Sequence, residues 1–135
     1  MSRRFAREVA VRTLFQVDVG RANVDRAFQY SLEGYDLEAK DVAFARSLVD
    51  GVLANLSEID RTIARSADHW SIDRMAKTDR NILRIAVYEI LFGDDVPSSV
   101  AVNEAVELAK TYGDADSGKF VNGILGFVLR GASQT

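Results

Sequence analysis

Arginine is concentrated at the start of this 135-residue chain, in a pattern that suits contact with phosphate groups. Arg3, Arg4, Arg7 and Arg12 lie within the first dozen residues, against a single acidic residue, Glu8. At the helical rotation of about 100° per residue, the first three arginines project from one side of a helix. Guanidinium groups in such an array can form bidentate hydrogen bonds with phosphates.

Phe15 lies further along the same predicted side as the three arginines. One interpretation is a solvated helix flank that carries a single core aromatic residue. The other is an RNA-binding edge, in which the guanidinium groups contact phosphates and a splayed base stacks on the exposed ring. The residue pattern by itself leaves both interpretations open.

A second candidate cluster surrounds the loop that follows Tyr112. Lys119 and Phe120 come directly after Asp116 and Ser117, either of which can cap a helix. The free N–H groups at a helix N-terminus favour an anion. A lysine, two aromatic residues and a helix start suit RNA, although a simple helix hairpin with close packing explains the same residues structurally.

Arrangements typical of enzymes are missing from the sequence. His69 is the only histidine, there is no cysteine, and no phosphate-binding glycine motif is present. Glu104 and Glu107 are explained by a solvated helix face. The aspartates at 94–95 and 114–116 suit turns, and they lack the ligand spacing of a calcium loop. We therefore predict no catalytic residues, no metal site and no cofactor.

The segment 77–92 is the element that should position these residues. Apolar side chains occur nearly all the way round it after the first turn, which indicates a helix packed inside a bundle. Thr78 is predicted to cap it, Asp79 suits the positive end of its dipole, and Gly93 is a plausible stop. Its length of about 16 residues is too short to span a membrane.

Further helical segments account for the rest of the chain. The apolar periodicity predicts helices over 2–19, from Asn23 or Asp25 to about 32, 36–55, 57–70, about 98–111, and from Asp116 or Ser117 to about 130, with a short helical turn at 71–75. Phe5, Ala6 and Val9 are expected on the inward face of the first helix. About seven helices without a strand signal predict an all-α bundle.

Composition adds a constraint on how RNA could be bound. The formal net charge is −3, so strong unaided binding to nucleic acid is not expected. The absence of cysteine indicates an intracellular protein, and we expect it in the cytoplasm. The arginines at the start are not followed by a continuous apolar run, so we expect no signal peptide and no membrane association.

Several linked motifs, in order, resemble the NusB family of bacterial transcription antitermination factors. They comprise Arg3-Arg-Phe-Ala-Arg-Glu-Val-Ala, Leu14-Phe-Gln, Asp79-Arg-Asn-Ile-Leu-Arg-Ile-Ala-Val-Tyr-Glu89, Asp95-Val-Pro97, Val102-Asn-Glu-Ala-Val-Glu-Leu-Ala-Lys-Thr-Tyr112, Ser117 and Lys119-Phe-Val-Asn-Gly-Ile-Leu125. The resemblance covers nearly the whole chain and is weakest between about residues 21 and 56.

This resemblance implies an all-helical fold of two packed subdomains, about 1–70 and 71–135, without enzymatic activity. It also implies binding of boxA-type RNA jointly with NusE, a small-subunit ribosomal protein. The complex would join the other Nus factors on RNA polymerase and support transcription of ribosomal RNA operons. A homodimer is a further possible state for a protein that resembles this family.

Candidate binding residues follow from the two clusters and from the positions that match the family motifs. The expected RNA-binding residues are Arg3, Arg4, Arg7, Phe15, Tyr112, Asp116, Lys119 and Phe120. The expected protein-partner residues on the central helix are Asp79, Arg80, Arg84 and Tyr88. The family usually has tyrosine where this chain has Phe15, and aspartate is common where it has Gly126.

Two other interpretations stay open at this point. The chain could be an RNA-binding domain related to that of ribosomal RNA cytosine methyltransferases, although we expect such a chain to continue into a catalytic region beyond Thr135. It could also be a homodimeric protein-interaction module, in which the arginine face pairs with acidic residues of a second copy.

Overall fold

The structure, a computed structural model, describes residues 2–67, 70–93 and 96–133 and forms a bundle of α-helices. The helices are α1 (Ser2–Gly20), α2 (Val24–Leu32), α3 (Ala39–Ala54), α4 (Leu56–Ser66), α5 (Lys77–Phe92), α6 (Ser98–Tyr112) and α7 (Ser117–Ser133), with a 3₁₀ turn at Ile72–Arg74. No strand occurs in these ranges. The predicted all-α bundle of about seven helices is confirmed.

Helix α5 is the centre of the bundle, as its apolar periphery predicts. It packs against α1, α3, α4, α6 and α7, and ten of its residues are buried, among them five with polar or charged side chains. Its predicted end is confirmed, since the Gly93 N–H donates to the Glu89 carbonyl at 3.1 Å. The predicted cap at Thr78 is wrong, because the helix already starts at Lys77 and Ala76 occupies the capping position.

Helix α1 is buried over a broader face than the periodicity predicted. It packs against α2, α3 and α5, so three neighbours cover it. Arg7, which was expected on the outer side, is therefore buried, as is Val11. Phe5, expected inward, is 42% exposed, and its ring lies 5.9 Å from the ring of Tyr35. The inward prediction is confirmed for Ala6 and Val9, both fully buried.

Helix α2 starts as expected, whereas α3 starts later. The Asn23 side chain accepts a hydrogen bond from the Arg26 N–H at 3.1 Å and caps α2. Gly34 follows the helix with φ of +88°, a conformation that favours glycine. The predicted start of α3 at Asp36 is wrong, because residues 35–38 form a loop whose Tyr35 side chain turns back toward α1.

The last two helices form a pair that packs on α5. Pro97 precedes the first residue of α6, where its missing N–H costs nothing. Helix α7 begins at Ser117, within the predicted region, and buries Val121 and Leu125. No helix in the described ranges is long and apolar enough to span a bilayer. The division into two subdomains near residue 70 stays a prediction.

Candidate nucleic-acid interface

Arg3 and Arg4 lie exposed at the start of α1. Arg4 forms two hydrogen bonds with Glu104 of α6, at 3.1 Å from Nε and 2.8 Å from Nη2. The hydrogen bond from Arg4 holds the pKa of Glu104 below its ordinary value, against the opposing effect of burial. The Arg3 guanidinium lies 4.2 Å from the centre of the Phe44 ring, a cation–π contact. Both arginines thus present charge at the surface.

Arg7 has a different environment, because its side chain is buried. Its Nε and Nη2 atoms donate to the Glu89 carboxylate at 3.0 and 3.3 Å, and its Nη1 lies 3.8 Å from Glu104 Oε1. Burial raises the pKa of Glu89, against the lowering effect of the Arg7 charge. Arg7 therefore links α1 to α5 and helps to hold Glu104. Arg7 has little exposed surface, and its role in RNA binding stays a prediction.

A shallow groove of about 610 Å³ separates the start of α1 from the start of α6. Its lining includes Arg3, Arg4 and Arg7, the Glu104 carboxylate that Arg4 binds, and the apolar residues Val96, Pro97 and Val100. Cationic and apolar walls of this kind suit a flexible anionic chain that carries flat bases.

A network of hydroxyl groups bridges α1 and α6 further along. Glu8 Oε1 accepts hydrogen bonds from the Tyr112 hydroxyl at 2.7 Å and from the Tyr35 hydroxyl at 2.9 Å. Arg12 Nη1 donates to the Tyr35 hydroxyl at 3.2 Å. Burial, together with these hydrogen bonds, raises the pKa of Tyr112 well above its ordinary value. Tyr112 thus lies at the interface with its hydroxyl already bound.

Sequence reasoning missed Glu8 and Tyr35 as parts of this network. The one sequence feature that could have drawn attention to Glu8 is that it is the only acidic residue among the N-terminal arginines. Tyr35 lies 27 residues from Glu8 along the chain, and no local pattern connects the two. The pair fixes the loop before α3 against α1.

The remaining aromatic residues of the RNA prediction lie at the far end of this surface. Phe15 is 38% exposed near the end of α1. Phe120 is half-buried in the second turn of α7, and its ring meets Trp70 edge-on at a centroid distance of 5.9 Å. Lys119 and Asp116 are exposed beside it.

Asp79 and Phe120 line a pocket of about 270 Å³, whose charged lining residues are Arg74, Asp79, Asp114 and Asp116. The Asp79 side chain is buried, and its Oδ1 atom has no hydrogen-bond partner. Burial raises the pKa of Asp79, and Asp114 raises it further, whereas a hydrogen bond from Ser117 opposes the shift. This part of the surface is acidic and aromatic, which suits a cation better than a phosphate.

The loop before α7 is held by its own polar groups. The Asp116 N–H donates to Asp114 Oδ1 at 2.9 Å, and the Asp114 N–H donates to Ser117 Oγ at 3.0 Å. Gly113 is required here, because a Cβ at this position would lie 2.3 Å from Ser117 Oγ. The loop therefore presents Asp116 and Lys119 from a defined backbone.

Arg80 and Arg84, which were predicted to contact the protein partner, form hydrogen bonds with aspartates inside the bundle. Arg80 Nε donates to Asp18 at 2.8 Å, and Arg84 forms two hydrogen bonds of 2.9 Å with Asp60. Asp18 also accepts hydrogen bonds from Arg84 Nη1 at 3.3 Å and from Asn81 Nδ2 at 2.9 Å. Hydrogen bonds from Arg80 hold the pKa of Asp18 below its ordinary value. This network joins α1, α4 and α5.

Tyr88 is half-buried against α3. A Cβ at Gly51 would lie 2.1 Å from Tyr88 Cζ, so the ring packs directly on the glycine. The Tyr88 ring also stacks on Phe92 at a centroid distance of 5.8 Å. The partner roles predicted for Asp79, Arg80, Arg84 and Tyr88 are untested by these contacts and stay predictions.

The structure thus gathers most of the predicted RNA-binding residues along one surface. This surface, called the α1–α6 rim from here on, runs from Arg3 and Arg4 past Tyr112 and Phe15 to the start of α7. Asp116, Lys119 and Phe120 lie at its end. Within the ranges 2–67, 70–93 and 96–133, no group of three potential metal-ligating side chains occurs. His69, weighed as a ligand from sequence, falls outside those ranges.

Comparison with known proteins gives consistent matches over nearly the whole chain. A profile described as the NusB family matches residues 4–130. The transcription antitermination protein NusB of Pelotomaculum thermopropionicum is 57% identical over 129 residues, covering 96% of this chain and 90% of that protein. The protein of the same name from Desulforudis audaxviator is 52% identical over 129 residues, covering 96% of this chain and 94% of its own.

A solved structure with the same fold adds information about binding. It is described as the crystal structure of antitermination factors NusB and NusE in complex with dsRNA. It superimposes on this chain with a TM-score of 0.88 at 30% sequence identity, covering 96% of this chain and 97% of the matched one.

Proposed function

This chain belongs to the NusB family, and we propose that it is a transcription antitermination factor that binds boxA-type RNA together with ribosomal protein NusE. The names of its relatives support the first part of this proposal. The solved complex of NusB, NusE and RNA, which has the same fold, supports the second part. With these relatives, an antitermination factor is favoured over a methyltransferase-associated domain.

The observation that carries the proposal is the α1–α6 rim. Exposed guanidinium groups of Arg3 and Arg4 lie at one end of it, and the Phe15, Tyr112 and Phe120 rings follow. A single-stranded RNA needs both cations for its backbone and aromatic faces for its unstacked bases. A rigid bundle that presents both along one line is suited to bind such a strand.

The protein partner has a separate role in this proposal. The net charge of the chain is −3, and each phosphate contact changes the log–log salt slope for single strands by only about −0.7. The binary complex with RNA should therefore be weak. A basic ribosomal protein docked beside the rim would add cations, and the acidic pocket of Asp79, Asp114 and Asp116 offers complementary charge for it.

The proposed activity is binding without catalysis. The chain would act in the cytoplasm, where it would join the other Nus factors on RNA polymerase and support transcription of ribosomal RNA operons. The roles assigned to individual residues of the rim and of α5 belong to this proposal as well.

A binding titration tests the proposal directly. A labelled boxA-type RNA is titrated with the chain alone and with the chain plus NusE, at fixed salt, and a scrambled RNA of equal composition is the control. We expect marked tightening with NusE for the boxA-type RNA only. Equal affinity with and without NusE would contradict joint binding. Sedimentation of the same samples reports whether a homodimer forms and whether RNA dissociates it.

A further inference from the structure

A second groove lies on the rim between α1, α2, the start of α5 and the end of α6. Of its lining residues, only Phe15 and Tyr112 have been given a role above. Its volume is about 350 Å³, at the lower end of the range for ligand pockets. Arg12 and Phe15 of α1, Tyr30 of α2, and Thr78 of α5 contribute to its lining. It therefore has room for one nucleoside-sized group.

Two aromatic side chains of this groove are exposed to solvent. Tyr30 is 66% exposed and Phe15 is 38% exposed. Rings elsewhere on the molecule, such as Trp70 and Phe127, are exposed to a similar degree, so what distinguishes these two is their place in one cavity with Arg12. Two exposed rings on the same groove are what base stacking requires.

Arg12 supplies a positive charge, and within residues 2–67, 70–93 and 96–133 no carboxylate accepts a hydrogen bond from it. Arg4 and Arg7, by contrast, each form two hydrogen bonds with a carboxylate. The side-chain hydrogen bond from Arg12 goes to the phenol of Tyr35, which is uncharged. The nearby Glu8 already accepts two hydroxyl hydrogen bonds. The Arg12 guanidinium therefore keeps donors available for a phosphate.

The floor of the groove is fixed in place by polar contacts. Gln16 Nε2 donates to Ser31 Oγ at 2.8 Å and to the Arg12 carbonyl at 3.1 Å. Ser31 directly follows Tyr30, so this contact ties the tyrosine-bearing end of α2 to α1. The rings and the cation are thus held on two packed helices rather than on a mobile loop.

We propose that this groove is an additional subsite for single-stranded RNA, in which one base stacks between Phe15 and Tyr30 while Arg12 contacts the adjoining phosphate. The inference rests on the proposed function, since it extends the same RNA path by one nucleotide. Thr78 lies in this groove and Asp79 in the pocket beside Phe120, so consecutive residues of α5 place the two cavities next to each other.

The charged residues that line the two cavities indicate which kind of ligand each one would bind. A phosphate would be repelled at the neighbouring pocket, which contains Asp79, Asp114 and Asp116. The lining of the second groove includes Arg12 and no acidic side chain. A basic segment of a protein partner would therefore prefer the acidic pocket, whereas a nucleotide would prefer the groove with the arginine.

The test uses six variants of the full chain in the presence of NusE, of which Y30F and R12K are the conservative ones. Y30A removes the stacking ring and R12Q removes the charge. F127A and R61Q are the matched controls, because Phe127 and Arg61 are exposed on α7 and α4 and neither lines this groove. Affinity for a boxA-type RNA is measured over a salt series, and the RNA is shortened one nucleotide at a time from each end.

We expect Y30A to weaken binding about five- to 150-fold, which is the range for one stacked base, and Y30F to retain wild-type affinity. R12Q should reduce the magnitude of the log–log salt slope by about 0.7, and R12K should restore it. In the wild type, removal of one particular nucleotide should weaken binding stepwise, and that step should be absent in Y30A.

Four outcomes separate the possibilities. If wild-type protein with NusE ignores the RNA, the proposed function itself fails. If it binds and Y30A and R12Q behave like F127A and R61Q, this subsite is refuted while the proposed function stands. If Y30A and R12Q weaken association with NusE in the absence of RNA, the groove contacts protein and the inference is overturned. Retention of the stepwise loss in Y30A would also overturn it.

Discussion

The Asp79 carboxylate is the least satisfied polar group on the rim. Its Oδ1 atom is buried without a hydrogen bond, and burial, with a contribution from Asp114, raises its pKa. Because the folded-state pKa lies above the unfolded one, stability is lost as pH rises between the two values. An ionised Asp79 therefore reduces stability at neutral pH, which is tolerable if a cationic group of a partner offsets it.

The substitution D79N should stabilise the isolated chain by about 1 kcal/mol at pH 7, because it removes the unpaired charge with little change in shape. The gain should shrink as pH falls through the raised folded-state pKa of Asp79 and should be lost below about pH 4, where the carboxyl is protonated in both the folded and the unfolded state. Denaturant unfolding at both pH values measures this. D116N is the control, since Asp116 is exposed, and it should leave the midpoint unchanged. A D79N midpoint equal to wild type at pH 7 would show that the carboxylate is adequately solvated.

Phe120 distinguishes a stacking surface from a core residue. The ring is half-buried and contacts exposed Trp70, so part of it is available. Substitution F120A should cost about 1–3 kcal/mol of RNA binding if a base stacks there. Filter binding with NusE present measures the loss, and F127A on the same helix is the control. If F120A instead lowers thermal stability while the folded fraction binds RNA normally, the ring serves only packing.

At the scale of elements, the network around Asp18 joins three helices. Asp18 of α1 accepts hydrogen bonds from Arg80, Asn81 and Arg84 of α5, and Arg84 also binds Asp60 of α4. These contacts replace apolar packing where α5 is buried on all sides. Removal of a single partner from such a buried network leaves uncompensated charges.

The substitution D18N should therefore destabilise the fold by about 3–5 kcal/mol at pH 7. The folded-state pKa of Asp18 is lowered, chiefly by Arg80, so its contribution is complete above the unfolded-state pKa of about 4 and is lost as pH falls through the lower folded value. Unfolding curves from pH 7 to pH 2 should show the two proteins converging. D73N is the matched control, because Asp73 also approaches Arg80, at 3.9 Å, but is almost fully exposed.

A cost below about 1 kcal/mol for D18N would contradict this account of the network. Equal costs for D18N and D73N would show that burial has no influence on how strongly Arg80 depends on each carboxylate.

The elements themselves were largely predictable, because local periodicity and breakers determine them. The bounds of α5 and the Asn23 cap of α2 follow from apolar spacing and side-chain chemistry. The environment of Arg7 could not be predicted, because its partner Glu89 lies 82 residues away. The helical period placed Arg7 outward, whereas the packing of three helices around α1 buries it.

The surroundings of the candidate site residues were less predictable than the helices, and the roles of these residues stay predictions. The exposure of Phe15 agrees with the RNA interpretation, although its role there stays a prediction. Tyr30 gave no signal, because a tyrosine on a short amphipathic helix is usually a core residue. Only the arrangement of α2 against α1 brings it to the groove beside Phe15.

For the whole molecule, charge distribution governs the behaviour with RNA. The net charge is −3, and exposed cations on the rim are few. We expect the salt slope of the binary RNA complex to be no steeper than about −3, since the exposed Arg3, Arg4, Arg12 and Lys119 would each contribute about −0.7. The ternary complex with NusE should be steeper. Fluorescence titration between 50 and 300 mM salt measures both, and identical slopes would show that NusE adds no cation to the RNA path.

If Arg4 binds RNA as proposed, its pair with Glu104 at the start of the rim makes recruitment of a transcript an exchange of anionic partners rather than a simple attraction. An incoming phosphate has to displace a carboxylate that already satisfies the guanidinium. A polyanion such as heparin would only replace Glu104 as the anionic partner of Arg4, so its net gain in binding free energy would be small. An RNA whose bases also stack on the aromatic rings of the rim would gain additional binding free energy. Competition from Glu104 would therefore favour such an RNA over the many other polyanions in a cell.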